Sequence, residues 1–269
     1  MQCLFDADVL RYEIGFAAEA GWQQEGFPPF DYAANLLDSK IANICAITNS
    51  TEPPILYLTG ETNFRNDIAK RTPYKVRVGN KPWHYKNLTA YMKAKYDVRF
   101  QEGLEADDLL AIEATLRPDE VIICTRDKDL KQVPCWHYSW ELGNQPEFGP
   151  ECVDELGRLS LSTNRKKITG TGMLFFFSQC LTGDAVDSIP GLEGCGPVKA
   201  FNTLSGCGSI QEAYKALLEA YRAVYADNAE MELLEQGRLL WMTRKLHPDG
   251  SPVLWELPVF EEGEINKAI

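Results

Sequence analysis

The sequence predicts an α/β fold, with a mostly parallel central sheet flanked by helices and joined to a helical C-terminal part. Three observations predict it. Short apolar runs of strand length alternate with segments of helical periodicity through the first half of the chain, the pattern of parallel strands with right-handed crossovers. Acidic residues recur directly after those apolar runs, at the carboxyl ends of strands where open parallel sheets bind ligands. From about Pro150 the strand signals fade and helical patterns take over. A boundary near residues 150–165 is therefore expected, dividing the chain into an α/β part, 1–160, and a helical part, 161–269.

Residues 2–6 (QCLFD) read as a short buried strand ending on Asp6. Asp31 is placed to cap a helix over 32–48, with Leu37, Ile41, Ile44 and Thr48 on one face. Pro53 and Pro54 stop the chain before a second apolar strand, 55–59 (ILYLT). A basic segment follows, with turn signals at Pro73, Gly79 and Pro82. A helix over 87–96 and a strand at 98–101 lead to an acidic-start helix over 105–116, closed by Arg117-Pro118. A strand at 120–125 (EVIICT) and a strand-like run at 135–140 (CWHYSW) complete the α/β part. Helices over 172–183, 197–205, 210–226 and 229–245 are expected beyond it.

With 269 residues, 45% hydrophobic and 25% charged, the chain can bury a full core and has the composition of an ordinary globular protein. No apolar run reaches the roughly 18–20 residues that span a bilayer. The N-terminus lacks the basic and apolar regions of a signal peptide, so a cytoplasmic location is expected, with no membrane partner. The eight cysteines form no CxxC pair, and His84, His137 and His247 lie far apart, which suits buried thiols rather than a zinc site.

The net charge of −12 hides an uneven distribution. Between Arg65 and Arg99 ten Lys/Arg face two acids, a net +8 that leaves −20 on the remainder. Such a basic stretch beside an acidic centre could hold a phosphate backbone, or it is simply a solvated face.

Eight carboxylates fall into four short clusters: Asp6; Glu105, Asp107 and Asp108; Asp127 and Asp129; Asp184 and Asp187. Two such charges ~4 Å apart repel by ~4 kcal/mol at an effective dielectric of ~20. A helix N-terminus returns only ~0.3–1 kcal/mol per charge. Clusters converging on one cleft therefore need cations, and all-oxygen ligands select Mg²⁺ or Mn²⁺. Metal-assisted phosphodiester hydrolysis is the reaction class this implies. Two of the clusters also have a plain reading taken alone, as helix N-terminal bias at 105–108 and an Asx-rich turn at 127–129.

The stretch GDAVDSIPGLEGCGPVKAF is the most specific. Gly191, Gly194 and Gly196 make tight turns, Pro197 opens a helix, and Lys199 sits in its first turn, an arrangement that offers backbone N–H groups and one charge to a phosphate. Upstream, Arg65, Tyr74, Lys75 and Arg77 supply cations and one aromatic ring, for charge developing on a phosphate and for stacking on a base.

In order and spacing over about residues 1–205, these motifs resemble the 5′-nuclease family, which includes bacteriophage 5′→3′ exonucleases, flap endonucleases and the 5′-nuclease domain of bacterial DNA polymerase I. FDAD resembles the family's first metal Asp, EADD its helix-borne triplet and TRDKDL its strand-end pair. LTGDAVDSIPGLEGCGPVKA resembles the signature of its helix–three-turn–helix DNA-binding element. The resemblance implies two divalent ions, Mg²⁺ or Mn²⁺. Asp6, Glu105, Asp107 and Asp108 would serve mainly the first, and Asp127, Asp129, Asp184 and Asp187 the second or its water shell. It further implies Lys75 on the scissile phosphate at the base of a helical arch (61–104), assisted by Arg77. Gly191, Gly194, Gly196 and Lys199 would lie on duplex backbone, with K⁺ held by turn carbonyls.

The chain departs from the family at Glu61, where relatives commonly carry Asp, and at Ser188, where they carry Asn. The arch segment is compact and broken by Pro73, Gly79 and Pro82, which favours a 5′→3′ exonuclease on duplex DNA, or on RNA–DNA hybrids, over a flap endonuclease. Replication proteins are implied as partners. A non-catalytic DNA-binding protein of the same fold and a PIN-like ribonuclease are the rival readings.

Overall fold

The computed structural model describes residues 1–75 and 79–260. Its first half runs β1 (Gln2–Asp6), α1 (Ala7–Gly21), α2 (Phe30–Ile47), β2 (Ile55–Tyr57), α3 (Arg65–Ile68), α4 (Tyr85–Lys95), β3 (Asp97–Arg99), α5 (Ala106–Leu116), β4 (Val121–Cys124), β5 (Trp136–Ser139) and β6 (Phe148–Cys152). The six strands form one sheet in the order β3-β2-β1-β4-β5-β6, parallel except for the antiparallel edge pair β5–β6. Leu4 is in register with Ile55 on one side and Ile123 on the other. The strand order reverses between β1 and β4, so the crevice for a ligand opens beyond the carboxyl ends of these two strands.

Covering the sheet on both faces explains its near-continuous apolar strands. Cys3, Phe5, Leu56, Ile122 and Cys124 point to one face and pack with Leu10 and Ile14 of α1, Leu37 and Ile41 of α2, and Leu88 and Met92 of α4. Leu4, Ile55, Tyr57, Val121 and Ile123 point to the other face and pack on Leu110, Ala111 and Ala114 of α5. Five of the eight cysteines are buried and all are free thiols.

The second half runs β7 (Arg158–Leu161), β8 (Ile168–Thr171), α6 (Gly172–Thr182), α7 (Pro197–Leu204), α8 (Ile210–Tyr225) and α9 (Ala229–Leu240). Helix α6 is apolar nearly all round and nearly all buried, as a helix at the centre of a core must be. Around it gather Leu204, Leu217, Tyr221, Leu233, Trp241 and Trp255, together with Tyr74 from the basic segment.

Four expectations are corrected. Strands do not fade at Pro150: β6, β7 and β8 occupy 148–171, and the alternation of β7 is only half-buried, too weak to read as a strand. Asp31 does not cap α2; the N-cap is Pro29, and Asp31 sits in the first turn, where the helix dipole favours it. Helix α1 adds an element to those expected, with Leu10, Ile14 and Ala18 on its buried face and Asp6 as its cap. Helix α9 stops at Leu240 instead of 245, because the carbonyls of Leu239 and Trp241 and the N–H of Thr243 bond to Arg65 and Asp108. No helix among the described residues is long and apolar enough to cross a membrane.

Candidate active-site cleft

At the carboxyl ends of β1 and β4 a cleft of about 450 Å³ is lined by Asp6, Asp8, Thr59, Lys75, Glu105, Asp107 and Asp127. Asp6 ends β1 and caps α1, accepting from the Val9 N–H (3.0 Å) and the Thr125 hydroxyl (2.9 Å). Thr125 in turn accepts from the Asp127 N–H at 2.9 Å, so one hydroxyl ties the Asp6 carboxylate to the backbone of Asp127. The Asp127 carboxylate accepts the Asp129 N–H at 2.8 Å, which folds the loop after β4 into an Asx turn. Asp107, on the first turn of α5, lines the same cleft between the two strand ends.

Burial and mutual repulsion push these acids up. Asp6 rises to about 6 through burial and the charge of Asp8. Asp127 rises to about 6 through burial and Asp6. Asp107 rises well above the ordinary carboxylate range through burial, Asp127, Asp6 and Glu105. These three acids are the part of the expected set that the fold brings together with no ion-pair partner among the described residues. Asp8 also lines the cleft, although sequence reasoning passes over it; FDAD carries two carboxylates, and the second accepts the Thr59 N–H at 3.1 Å but, unlike those three, is ion-paired, with Arg11.

A second group lies alongside. Asp129 rises to about 7 through burial and its neighbours Asp127 and Asp184. Burial also raises Asp187, partly offset by Lys75. Asp184 is buried, yet hydrogen bonding to Lys128 holds its carboxyl below the usual range. Lys128 is another residue that sequence reasoning passes over, although it sits between the two strand-end acids.

Glu105 is pulled the other way. Burial works against its charge, but Arg65 and Lys75 hold it low. It accepts from Arg65 (3.0 Å), from the Tyr74 hydroxyl (2.9 Å) and from Lys75. The Lys75 ammonium also stands 3.8 Å from Asp187.

Three expected roles are corrected here. Asp108 is fully buried and turned away from the cleft: its oxygens accept from both terminal nitrogens of Arg65 (2.7 and 2.8 Å) and from the N–H groups of Thr243 and Glu105. Its lone pairs are taken, so it is not placed to ligate. Arg65, expected on DNA, is fully buried and tied to Asp108, Glu105 and the carbonyls of Leu239 and Trp241. Tyr74, expected to stack on a base, packs in the C-terminal core with its hydroxyl between Glu105 and Asp187. Arg77 lies outside the described residues. Glu61 is exposed and is not among the residues lining the cleft.

The glycine-rich stretch forms a chain of turns between α6 and α7. Gly183 and Gly191, both at positive φ, meet backbone to backbone, with Asp184 and Ile189 bridged by two 2.8 Å hydrogen bonds inside the loop. Gly191 donates its N–H to Gln236 at 2.9 Å in the interior, which removes it from any phosphate. Gly194 and Gly196 are different: both are exposed, and a Cβ on either would meet open space. Lys199 is exposed on the first turn of α7. The segment ending at Lys75 docks on this loop, through Thr72 to the Ser188 carbonyl (2.6 Å) and the Lys75 N–H to the Asp187 carbonyl (3.2 Å).

Among the described residues no three Asp, Glu, His or Cys side chains are already closed around one point as metal ligands. The donor set nonetheless suits a hard divalent cation: oxygen only, largely buried, and mutually repelling until neutralised.

No protein-family model matches the chain. In sequence it is 30% identical over 139 residues to DNA polymerase I of Deinococcus radiodurans, spanning 50% of this chain and 13% of that protein. It is likewise 30% identical over 129 residues to the flap endonuclease Xni of Shewanella frigidimarina, 46% of each. The chain thus spans about half or less of the length of these curated relatives. In structure it matches the T5 5′-exonuclease with divalent zinc bound, at a TM-score of 0.50 and 17% identity, over 89% of this chain and 99% of that one. The chain has the 5′-nuclease fold and resembles that family in sequence.

Proposed function

We propose that this chain is a divalent-metal-dependent 5′-nuclease that hydrolyses DNA phosphodiester bonds. The observation that carries the reading is the meeting of Asp6, Asp107 and Asp127, from three separate elements, at the β1/β4 switch point beside Lys75. Acids so close that they raise one another's pKa cost stability, and a cation-binding role accounts for that cost. Similarity to proteins named as a 5′-exonuclease and a flap endonuclease supports the same reaction class.

Bound Mg²⁺ or Mn²⁺ would supply charge neutralisation at the scissile phosphate and acidify the attacking water. Asp6, Asp107 and Asp127 would hold the first ion, and Asp129, Asp184 and Asp187 the second. Glu105 does something different. It holds the Lys75 ammonium at the rim of the cleft, where that charge can meet a phosphate oxygen and stabilise the negative charge developing on it. Arg77 would add to Lys75, as the sequence resemblance implies. Gly194, Gly196 and Lys199, exposed on the turns before α7 and on its first turn, would grip duplex backbone without reading bases.

Within this class we place 5′→3′ exonucleolytic attack on duplex ends ahead of flap cleavage. Helix α3 has four residues, and α4 lies with Leu88 and Met92 buried against α1 and α2. Helices so placed support a shallow basic groove more than a closed arch able to thread a strand. The flap-endonuclease reading is favoured by the similarity to Xni.

One experiment separates them: pure protein in Mg²⁺ with 5′-labelled flap, nicked, blunt and covalently closed circular DNA. Short products from blunt and nicked ends, faster than release of long flaps, support the exonuclease. Clean cuts at flap bases outpacing duplex digestion establish the flap endonuclease instead. Binding without cleavage of any substrate would leave a non-catalytic DNA-binding protein.

A further inference from the structure

Lys128 lies between two acids in sequence and between two loops in space. Its ammonium is 3.2 Å from Asp129 on the turn after β4 and in direct contact with Asp184 on the loop after α6. Among the described residues these two carboxylates have no other ion-pair partner. The exposures are unequal: the Lys128 side chain is 56% exposed, against 12% for Asp129 and 6% for Asp184. The lysine can swing into solvent on its flexible stem, whereas the acids are fixed, Asp129 by Gln179 and Asp184 by the Val186 N–H.

We infer that Lys128 is a displaceable internal cation of the Asp129–Asp184 pair, occupying the place of the second divalent ion and setting how tightly that ion binds. The inference rests on the metal-dependent reading above. An ammonium and a divalent cation cannot share the same pair of oxygens, because like charges at contact distance repel strongly. Metal binding at this pair therefore requires Lys128 to leave, and the affinity measured is the intrinsic affinity reduced by the lysine's hold. Among the described residues Asp6, Asp107 and Asp127 carry no such tenant, since the nearby Lys75 ammonium rests on Glu105. The two halves of the cleft thus differ by construction: the first is open to metal, and the second is guarded by a side chain that keeps the acids neutralised until metal arrives.

The test is Mn²⁺ titration calorimetry without DNA, paired with thermal melts in EDTA and in Mn²⁺, on wild type, Lys128→Met, Asp184→Asn and the double variant. Lys128→Met should bind Mn²⁺ at the weaker position about two- to fivefold more tightly, the size of a part-exposed ion pair. It should melt below wild type in EDTA and gain more from Mn²⁺. In the Asp184→Asn background the same substitution should raise Mn²⁺ affinity by clearly less, since only the Asp129 contact of Lys128 remains. Equal affinity of wild type and Lys128→Met at every position overturns the inference. So does an equal gain in the Asp184→Asn background, which makes the effect one of general charge. If wild type takes up no Mn²⁺ at all, the metal-dependent reading itself falls, and this inference with it.

Discussion

Removing the Arg65 guanidinium tests the architecture most severely. The group is fully buried and makes five hydrogen bonds: to Glu105 (3.0 Å), to both oxygens of Asp108 (2.7 and 2.8 Å), and to the carbonyls of Leu239 (3.0 Å) and Trp241 (2.7 Å). At about 1.5–3 kcal/mol for each bond to a charged group, a simple sum approaches the whole stability of a domain, about 5–15 kcal/mol. That sum ignores rehydration of the groups left behind. The measured cost of removing one partner from a buried ion pair, about 3–5 kcal/mol, is the better guide. Arg65→Ala should therefore lose about 3–5 kcal/mol in urea denaturation, because Asp108 stays buried with only two backbone N–H groups for company. Asp108→Asn should cost less in the Arg65→Ala background than alone, with a coupling of about 1–3 kcal/mol. DNA affinity, measured at a temperature where the variant is folded, should stay within a few-fold of wild type. A stability loss under ~1 kcal/mol together with tenfold weaker DNA binding would refute the reasoning and return Arg65 to the surface role its basic neighbours suggest.

Four further outcomes are expected. Asp127→Asn should raise the stability of metal-free protein by about 1–2 kcal/mol by relieving repulsion, and should abolish most cleavage; undiminished turnover at saturating Mg²⁺ would exclude Asp127 as a ligand. In EDTA the protein should be more stable at pH 5 than at pH 7.5. Asp6 and Asp127 (about 6) and Asp129 (about 7) stand above the ordinary 3.8, so the folded chain retains protons the unfolded chain releases, and stability falls from about pH 4 to about pH 7. Asp107 and Asp187, also raised, act in the same sense, and His137, buried and pushed from 6.5 down to about 4, opposes them as a single group; a melting temperature higher at pH 7.5 than at pH 5 would overturn the sign. Lys75→Ala should lower kcat while DNA affinity changes only a few-fold; lost affinity with intact kcat would make it a backbone contact. Lys199→Ala should weaken binding equally for unrelated duplexes and reduce the salt slope by about 1, whereas a sequence-dependent loss would indicate base readout.

Whatever depends on short range is legible in the sequence. Strands buried on both faces are nearly pure apolar runs, so β1, β2 and β4 stand out, and the acids that follow them land at the strand ends. The division of labour within EADD is not legible in that way. Asp107 and Asp108 are adjacent, and only the rotation of α5 sends one to the cleft and the other into Arg65, a partner 43 residues away. Arg65 itself looks like one more cation in a basic stretch; its burial depends on carbonyls 174 and 176 residues downstream. Hairpin β7–β8 escapes notice because half-exposed strands carry little apolar signal. Asp8 and Lys128 are within reach, each lying within two residues of an acid already singled out.

The back-to-back contact of Gly183 and Gly191 has a consequence for how this chain can vary. A Cβ on either glycine would strike the other's backbone, so the loop between them is pinched at its neck and its length is fixed along with its shape. Asp184 and Asp187 ride on that loop as one piece, and the neck is fastened from behind by Gln236 of α9. Substitutions at the exposed crown, such as Val186 at 71% exposure, are free to drift. A change at Gln236, which carries no charge and lies outside the cleft, would instead shift both acids together and retune the spacing between the halves of the cleft. Selection acting on α9 could in this way adjust the chemistry without altering a single carboxylate.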